Sequence, residues 1–169
     1  MTLSSADLRF GDVSVGERPP EIVKEVSTTT VVLGALSTRD WRPMHHDRDF
    51  AVHQNGAEDI FMNTPTIAAW LERAVTDWTG PKGRLGRLRF AIQDSIYPGQ
   101  TMAISGEVRH LSVDAAGCGW ALLQLTIKQR DRLCVSATAR VALPLDGDDN
   151  PWTRRGPCWI PDEEHPDGP

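Results

Sequence analysis

The sequence contains no long apolar run. No stretch approaches the roughly 20 apolar residues that a helix needs to cross a bilayer, and residues 1 to 20 lack the apolar segment of a secretory signal. The sequence therefore predicts a cytoplasmic protein without a membrane-spanning helix.

The sequence has no long block of consecutive basic residues. The formal net charge is −5, and Lys and Arg never form a block. Binding to nucleic acid or to an anionic membrane needs a basic surface, so the charge disfavours both kinds of partner.

Cysteine is scarce. The three cysteines are an odd number and are widely spaced: Cys118, Cys134 and Cys158. This spacing matches neither a disulfide framework nor a zinc knuckle. We expect reduced thiols.

The length of 169 residues allows one domain. Residues 1–20 are polar and end in two prolines, which predicts a flexible lead-in before a domain at 21–145. Residues 146–169 are rich in Pro, Gly and acidic side chains, which predicts an irregular tail. The Val- and Thr-rich run from Ile22 to Leu36 favours an extended strand, with a turn or short helix near residues 37–40.

The central part of the chain predicts one helix followed by strands. Apolar residues recur at helical spacing from Ile67 to Trp78, Asn63 or Thr64 can cap the start, and Gly80-Pro81 ends the pattern. Strand-like runs follow at 85–96, 101–113, 120–129 and 133–143. A long helix from about Pro65 to Thr79 against an antiparallel sheet predicts an α+β hot-dog fold, in which a curved sheet wraps the helix.

The polar segment from Asp40 to Ala51 is the strongest candidate for chemistry. Hydration of an α,β-unsaturated thioester needs an acid and a base, and a carboxylate and an imidazole that share one water can supply both. Asp40 and His45 are five residues apart across Pro43, a spacing that lets the two side chains meet. The alternative is structural, with Asp40 capping a helix or turn and His45 in a solvated loop.

A metal site is a further alternative for this segment. Its candidate ligands are adjacent or nearly so in the chain, which makes convergence on one ion difficult, and no His-Glu-x-x-His helix or Cys cluster accompanies them: His45, His46, Asp47, Asp49 and His53. We expect no metal.

The same segment resembles the core motif of MaoC-type, R-specific (type 2) enoyl-CoA hydratases, Gly-Asp-x-Asn-Pro-Leu-His followed after five residues by Ala. The matching residues are Asp40, Pro43, His45 and Ala51, whereas Arg39 stands at the glycine position and Arg42 at the asparagine position. The resemblance implies that Asp40 and His45 are the acid/base pair.

The resemblance continues to the start of the central helix. Residues 60–63 (IFMN) stand where the family has Ile-Val-His-Gly, whose glycine N–H binds the thioester oxygen. By position, this oxyanion role falls to the backbone of Asn63. The alternative, which is compatible with the first, is that Asn63 caps the helix.

Several segments are similar to the smaller subunit of actinobacterial steroid side-chain enoyl-CoA hydratases: 39–40 with 45–49, 59–61 and 75–81. This likeness implies a bulky steroid acyl-CoA substrate, a second MaoC-like chain as partner and no cofactor besides the CoA of the substrate.

Two other functions fit a hot-dog fold. An acyl-CoA thioesterase commonly places its carboxylate on or near the central helix. The acids of that helix, Glu72 and Asp77, both lie off its apolar stripe, which disfavours a thioesterase. A non-catalytic scaffold subunit would have lost the acid/base pair, whereas this chain retains it. A basic cluster after the helix fits either CoA phosphates or a solvated strand edge: Lys82, Arg84, Arg87 and Arg89.

Overall fold

The computed structural model describes residues 8–161, which form an antiparallel sheet and three helices. The strands are β1 (Ile22–Val26), β2 (Arg84–Ile92), β3 (Gln100–Val113), β4 (Gly119–Gln129) and β5 (Arg132–Leu143). The helices are α1 (Thr28–Ser37), α2 (Arg48–His53) and α3 (Thr64–Thr79). Short 3-10 turns lie at Phe10–Asp12, Pro43–His45, Pro151–Thr153 and Gly156–Cys158.

The sheet has the order β1-β3-β4-β5-β2, and every neighbouring pair is antiparallel. The stripe of α3 formed by Ile67, Leu71 and Val75 shares one apolar core with β4 and β5. Burial of this apolar stripe favours the packing of the helix on the sheet. The predicted hot-dog fold, its central helix and its four later strands are confirmed.

The predicted strand from Ile22 to Leu36 is wrong beyond Val26. Ser27 caps the start of α1: its hydroxyl accepts from the Thr30 N–H at 3.1 Å, while the Thr30 hydroxyl accepts from the Ser27 N–H at 3.3 Å. This reciprocal cap satisfies two backbone donors of the helix start. It outweighs the strand propensity of the Val and Thr residues, and Val31 and Ala35 pack into the interior.

The polar segment from Arg42 to Phe61, which has no clean helical period, contains ordered turns. Pro43 begins a 3-10 turn, and the side chain of Asp47 caps α2 by accepting from the Phe50 N–H at 3.0 Å. Local capping explains why a polar stretch without a helical period forms a short helix.

The terminal segments contact the domain over the residues described. In the lead-in, Val13 is buried in the core, and the backbone of Gly16 and Glu17 bonds to Val108. Residues 8–20 are therefore held in place, in contrast to the predicted flexible lead-in, and residues 1–7 lie outside the described range. The domain boundaries at 20 and 145 stay predictions.

The tail crosses the outside of the sheet. Up to residue 161 it contains 3-10 turns but no α-helix or strand, and residues 162–169 lie outside the description. Trp159 packs on Trp120 with ring centroids 5.0 Å apart, and the Arg84 guanidinium lies 3.6 Å from the Trp159 centroid. Lys82 donates to the carbonyl of Gly147 at 2.8 Å. Two members of the basic cluster are thus bound by the tail.

None of the helices within residues 8–161 is long and apolar enough to cross a membrane.

Candidate active site

Asp40 is positioned by the end of α1. The helix ends at Ser37, and Arg39 adopts the left-handed conformation with φ 55°. This reversal lets the Asp40 N–H donate to the Ala35 carbonyl at 2.9 Å. Left-handed residues are usually glycine, because a side chain there costs free energy. Arg39 stands at the glycine position of the hydratase motif, so this chain adopts the left-handed conformation there without the residue that favours it.

His45 is positioned by the 3-10 turn that begins at Pro43. Its ring is buried, lies edge-on to Phe61 with centroids 5.1 Å apart, and bonds through Nδ1 to the Phe61 carbonyl at 2.8 Å. A carbonyl oxygen only accepts, so Nδ1 carries a proton in this contact, and the neutral form of the ring has its lone pair at Nε2. The solvated-loop reading of His45 is therefore wrong.

The two candidate acid/base groups meet at a short distance. Oδ2 of Asp40 lies 3.5 Å from Nε2 of His45. Nε2 is buried and has no hydrogen-bond partner within residues 8–161. With His45 neutral, the facing atoms are both acceptors, and a water molecule that donates one hydrogen to each would satisfy both.

The carboxylate of Asp40 is held by donors on two sides. Arg42 forms a two-pronged contact, with Nε 2.9 Å from Oδ1 and Nη2 2.9 Å from Oδ2. Asn63 Nδ2 donates to Oδ2 at 3.1 Å. The Arg42 hydrogen bonds are the main reason that the pKa of Asp40 is well below its usual value. Burial opposes this shift, whereas Asn63 adds to it. Asp40 thus remains an anion at neutral pH.

Asn63 is buried at the start of α3 and connects three elements. Its Oδ1 accepts from the Thr66 N–H at 3.3 Å, so the predicted helix cap is confirmed. Its Nδ2 donates to Thr38 Oγ1 at 2.8 Å as well as to Asp40. Asp40 does not cap a helix, because its oxygens accept from the side chains of Arg42 and Asn63. It does cap a turn, because Oδ1 also accepts from the Arg42 N–H at 3.4 Å. The role of the Asn63 backbone as oxyanion donor stays a prediction.

The described part of the chain contains no cluster of side chains that could bind a metal ion. No three His, Cys, Asp or Glu side chains there are close enough together to hold an ion. His46 and His53 are exposed, and Asp47 is used as the cap of α2. The expectation that the reaction needs no metal stays a prediction.

Three contacts of the site do not follow from the sequence alone. Thr38 accepts from Asn63, and the Phe61 carbonyl accepts from His45. The acceptors are a threonine hydroxyl and a main-chain oxygen, and neither belongs to the hydratase motif. Arg42 was noticeable as a departure from the motif, but its two-pronged contact with Asp40 depends on the turn geometry.

Comparison with known proteins identifies related chains, although no family model matches. A curated protein of Mycobacterium tuberculosis, the 3-oxo-4,17-pregnadiene-20-carboxyl-CoA hydratase beta subunit, is 40% identical over 131 residues, which are 78% of this chain and 95% of the relative. A chain in the crystal structure of the ChsH1-ChsH2 complex from the same organism has a TM-score of 0.70 and 32% identity, covering 77% of this chain and 98% of its own.

The fold also matches more distant structures. The R-hydratase PhaJ1 from Pseudomonas aeruginosa has a TM-score of 0.73 with 14% identity, over 83% of this chain and 88% of its own. At this identity the likeness concerns the fold alone.

Proposed function

The chain belongs to the MaoC-like enoyl-CoA hydratase family, and from this membership we propose that it adds water to a 2-enoyl-CoA at Asp40 and His45. The product expected for the R-specific type is a 3-hydroxyacyl-CoA. The observation that carries the assignment of the site is the 3.5 Å separation of Asp40 Oδ2 and His45 Nε2, with Nε2 unpaired by the described residues.

The proposed reaction uses one water held by both groups. Its oxygen bonds to the β-carbon of the enoyl thioester as the dyad takes one of its protons. The electron pair of the double bond moves towards the thioester carbonyl, and the α-carbon then takes a proton from the dyad. Water is added in total, and the dyad returns to its starting protonation state.

The start of α3 is the proposed site for the thioester oxygen. Helix N-termini carry a partial positive charge and unpaired N–H groups. Asn63 is the cap at this end, and its side chain touches Asp40. A backbone N–H of Asn63 directed at the thioester oxygen would stabilise the negative charge that develops during water addition.

The substrate and the partner are proposed from the relatives. The beta subunit named above acts on 3-oxo-4,17-pregnadiene-20-carboxyl-CoA, and the solved relative is a two-protein complex. We propose that this chain acts on a steroid side-chain enoyl-CoA of that class, together with a second MaoC-like chain. The CoA is part of the substrate, and no separate cofactor is proposed. Free thiols at Cys118 and Cys134 agree with a location in the reducing cytoplasm.

The rival functions have weaker support. A thioesterase of this fold commonly has its catalytic carboxylate on or near α3. The acids of α3, Glu72 and Asp77, are both exposed to solvent, which disfavours this role. A scaffold subunit has no need of a buried carboxylate and imidazole that face each other. Retention of both groups favours the catalytic subunit.

An assay of the reconstituted complex tests the function. The complex should consume a steroid enoyl-CoA by hydration without releasing free CoA, and Asp40→Asn should abolish most of this activity. Release of CoA thiol would instead indicate a thioesterase. An active complex in which Asp40→Asn and His45→Ala are both silent would assign the chemistry to the partner and leave this chain as a scaffold.

A further inference from the structure

Arg42 contacts Asp40 in a way that nothing in the motif requires. The guanidinium meets the carboxylate through two parallel hydrogen bonds, each 2.9 Å long. Such a two-pronged pair fixes the rotation of the carboxylate as well as its position, which a single ammonium or amide does less well. Arg42 stands where the resembled motif has asparagine.

The contact fixes which oxygen faces His45. Oδ1 accepts from Arg42 Nε, and Oδ2 accepts from Arg42 Nη2 and from Asn63 Nδ2. Oδ2 is also the oxygen that lies 3.5 Å from His45 Nε2. Rotation of the carboxylate would break both bonds from Arg42 and move Oδ2 away from the imidazole.

Arg42 differs from the acid/base pair in solvent exposure. The side chain of Arg42 is 62% exposed, whereas that of Asp40 is 10% exposed. His45 is more deeply buried. The guanidinium therefore approaches Asp40 from the solvent side, while Asn63 and His45 approach it from the interior. Of the groups that contact Asp40, Arg42 is charged, His45 is titratable and Asn63 is neutral.

From this geometry we propose that Arg42 is a positioning residue that holds the Asp40 carboxylate with Oδ2 directed at His45 Nε2. The inference rests on the proposed function of the dyad, and it deepens that function by adding a residue that acts through Asp40. Arg42 keeps Asp40 in the orientation that lets one water bridge Oδ2 and Nε2. The lowered pKa of Asp40 agrees with this arrangement.

Kinetics of Arg42 variants in the reconstituted complex test the proposal. Arg42→Ala should lower kcat by roughly ten- to a hundredfold, because misplacement of a catalytic group by about 1 Å has an effect of this size. KM should stay within about twofold, since the residue acts through Asp40. Arg42→Lys should remain well below wild type, because lysine keeps the charge but not the two-pronged geometry.

Chemical rescue gives a readout that loss of stability would not produce. The Arg42 side chain is exposed, so free guanidinium can enter the space that Arg42→Ala opens. Millimolar guanidinium should restore part of the lost kcat of Arg42→Ala and should leave Asp40→Asn inactive. Arg18→Ala is the matched control, because Arg18 is another exposed arginine paired with a carboxylate, Glu107, at 3.3 Å. It should leave kcat unchanged.

The outcomes separate this inference from the proposed function. If the wild-type complex hydrates the enoyl-CoA and Arg42→Ala keeps its full kcat, Arg42 is not a positioning residue although the function stands. A rise in KM alone would make Arg42 a substrate-binding residue and overturn the inference. Equal rates for Arg42→Lys and wild type would also overturn it, since charge alone would then suffice. A wild-type complex without hydratase activity would instead refute the proposed function.

Discussion

The side-chain amide of Asn63 donates a hydrogen bond of 3.1 Å to Oδ2 of Asp40, so the residue that caps the central helix also holds the candidate catalytic carboxylate. One side chain therefore serves both the stability of α3 and the geometry of the site. Its two polar atoms divide these tasks, because Oδ1 accepts from the helix backbone and Nδ2 donates to Thr38 and Asp40. The two tasks are separable by substitution.

Asn63→Ser should lower activity more than stability. Serine caps a helix about as well as asparagine, but it cannot reproduce the Nδ2 donor to Asp40. We expect a fall in kcat/KM of up to about a hundredfold. Asn63→Ala should show a similar fall and lose a further 0.5–2 kcal/mol, roughly, of unfolding free energy with the cap. Urea denaturation beside the hydration assay measures both. Equal stability of the Ser and Ala variants would contradict the cap.

Arg39→Gly should stabilise the protein. Arg39 has φ 55°, a conformation that costs a residue with a side chain more than it costs glycine. The expected gain in unfolding free energy is about 0.5–1 kcal/mol. Arg39→Ala is the control, because it removes the guanidinium and keeps the backbone penalty, so it should not be stabilised. Denaturation curves at one protein concentration compare the two. If Arg39→Ala is also stabilised, the arginine side chain and not the backbone conformation destabilises the wild-type protein.

The features that follow from the sequence are those with a local cause. Helix α3 was predictable because its apolar residues recur at helical spacing between a capping Asn63 and Gly80. Helix α1 was not, because its Val and Thr residues favour a strand, and the opposing signal is the short reciprocal cap of Ser27 and Thr30. A cap of two side chains is easily missed beside a run of β-branched residues.

The sequence predicts which two residues form the site, but it does not predict the hydrogen bonds that orient them. The spacing across Pro43 indicated that Asp40 and His45 could meet, and the structure places them 3.5 Å apart. Their roles stay predictions. The bonds that orient them come from Asn63 and from the Phe61 carbonyl, which are distant in sequence. The contact between Arg84 and Trp159 depends on the path of the tail. The tail sequence has no hydrophobic periodicity from which that path could be predicted.

Trp159→Ala should loosen the tail. The indole contacts both Trp120 and the guanidinium of Arg84, so its removal exposes apolar surface and takes away a cation–π contact. Trp159 is only half-buried, so we expect a loss of about 1–3 kcal/mol. Limited proteolysis should cut the tail faster than in wild type. Trp41→Ala, which removes an exposed indole far from the tail in sequence, is the control and should be cut at the wild-type rate.

The contact between Arg42 and Asp40 should contribute to stability only while Asp40 is ionised. The folded protein holds the pKa of Asp40 below the ordinary value of 3.8, mainly through hydrogen bonds from Arg42. A lowered pKa adds stability above the unfolded-state pKa, and this contribution disappears as pH falls through the folded-state pKa. Arg42→Ala should therefore be less stable than wild type at about pH 6, and the difference should shrink below about pH 4. Urea midpoints across this range test the sign, and a difference that grows on acidification would contradict it.

The acid/base assignment itself predicts large and non-additive losses of rate. Asp40→Asn and His45→Ala should each lower the hydration rate by about two to four orders of magnitude, the usual contribution of a positioned acid or base. The double variant should be scarcely slower than the poorer single variant, because loss of either group already leaves the shared water without its second partner. Steady-state kinetics of the complete complex measure all three. If Asp40→Asn remains within a few-fold of wild type while the complex is fully active, Asp40 is not catalytic and the scaffold function replaces the hydratase assignment for this chain.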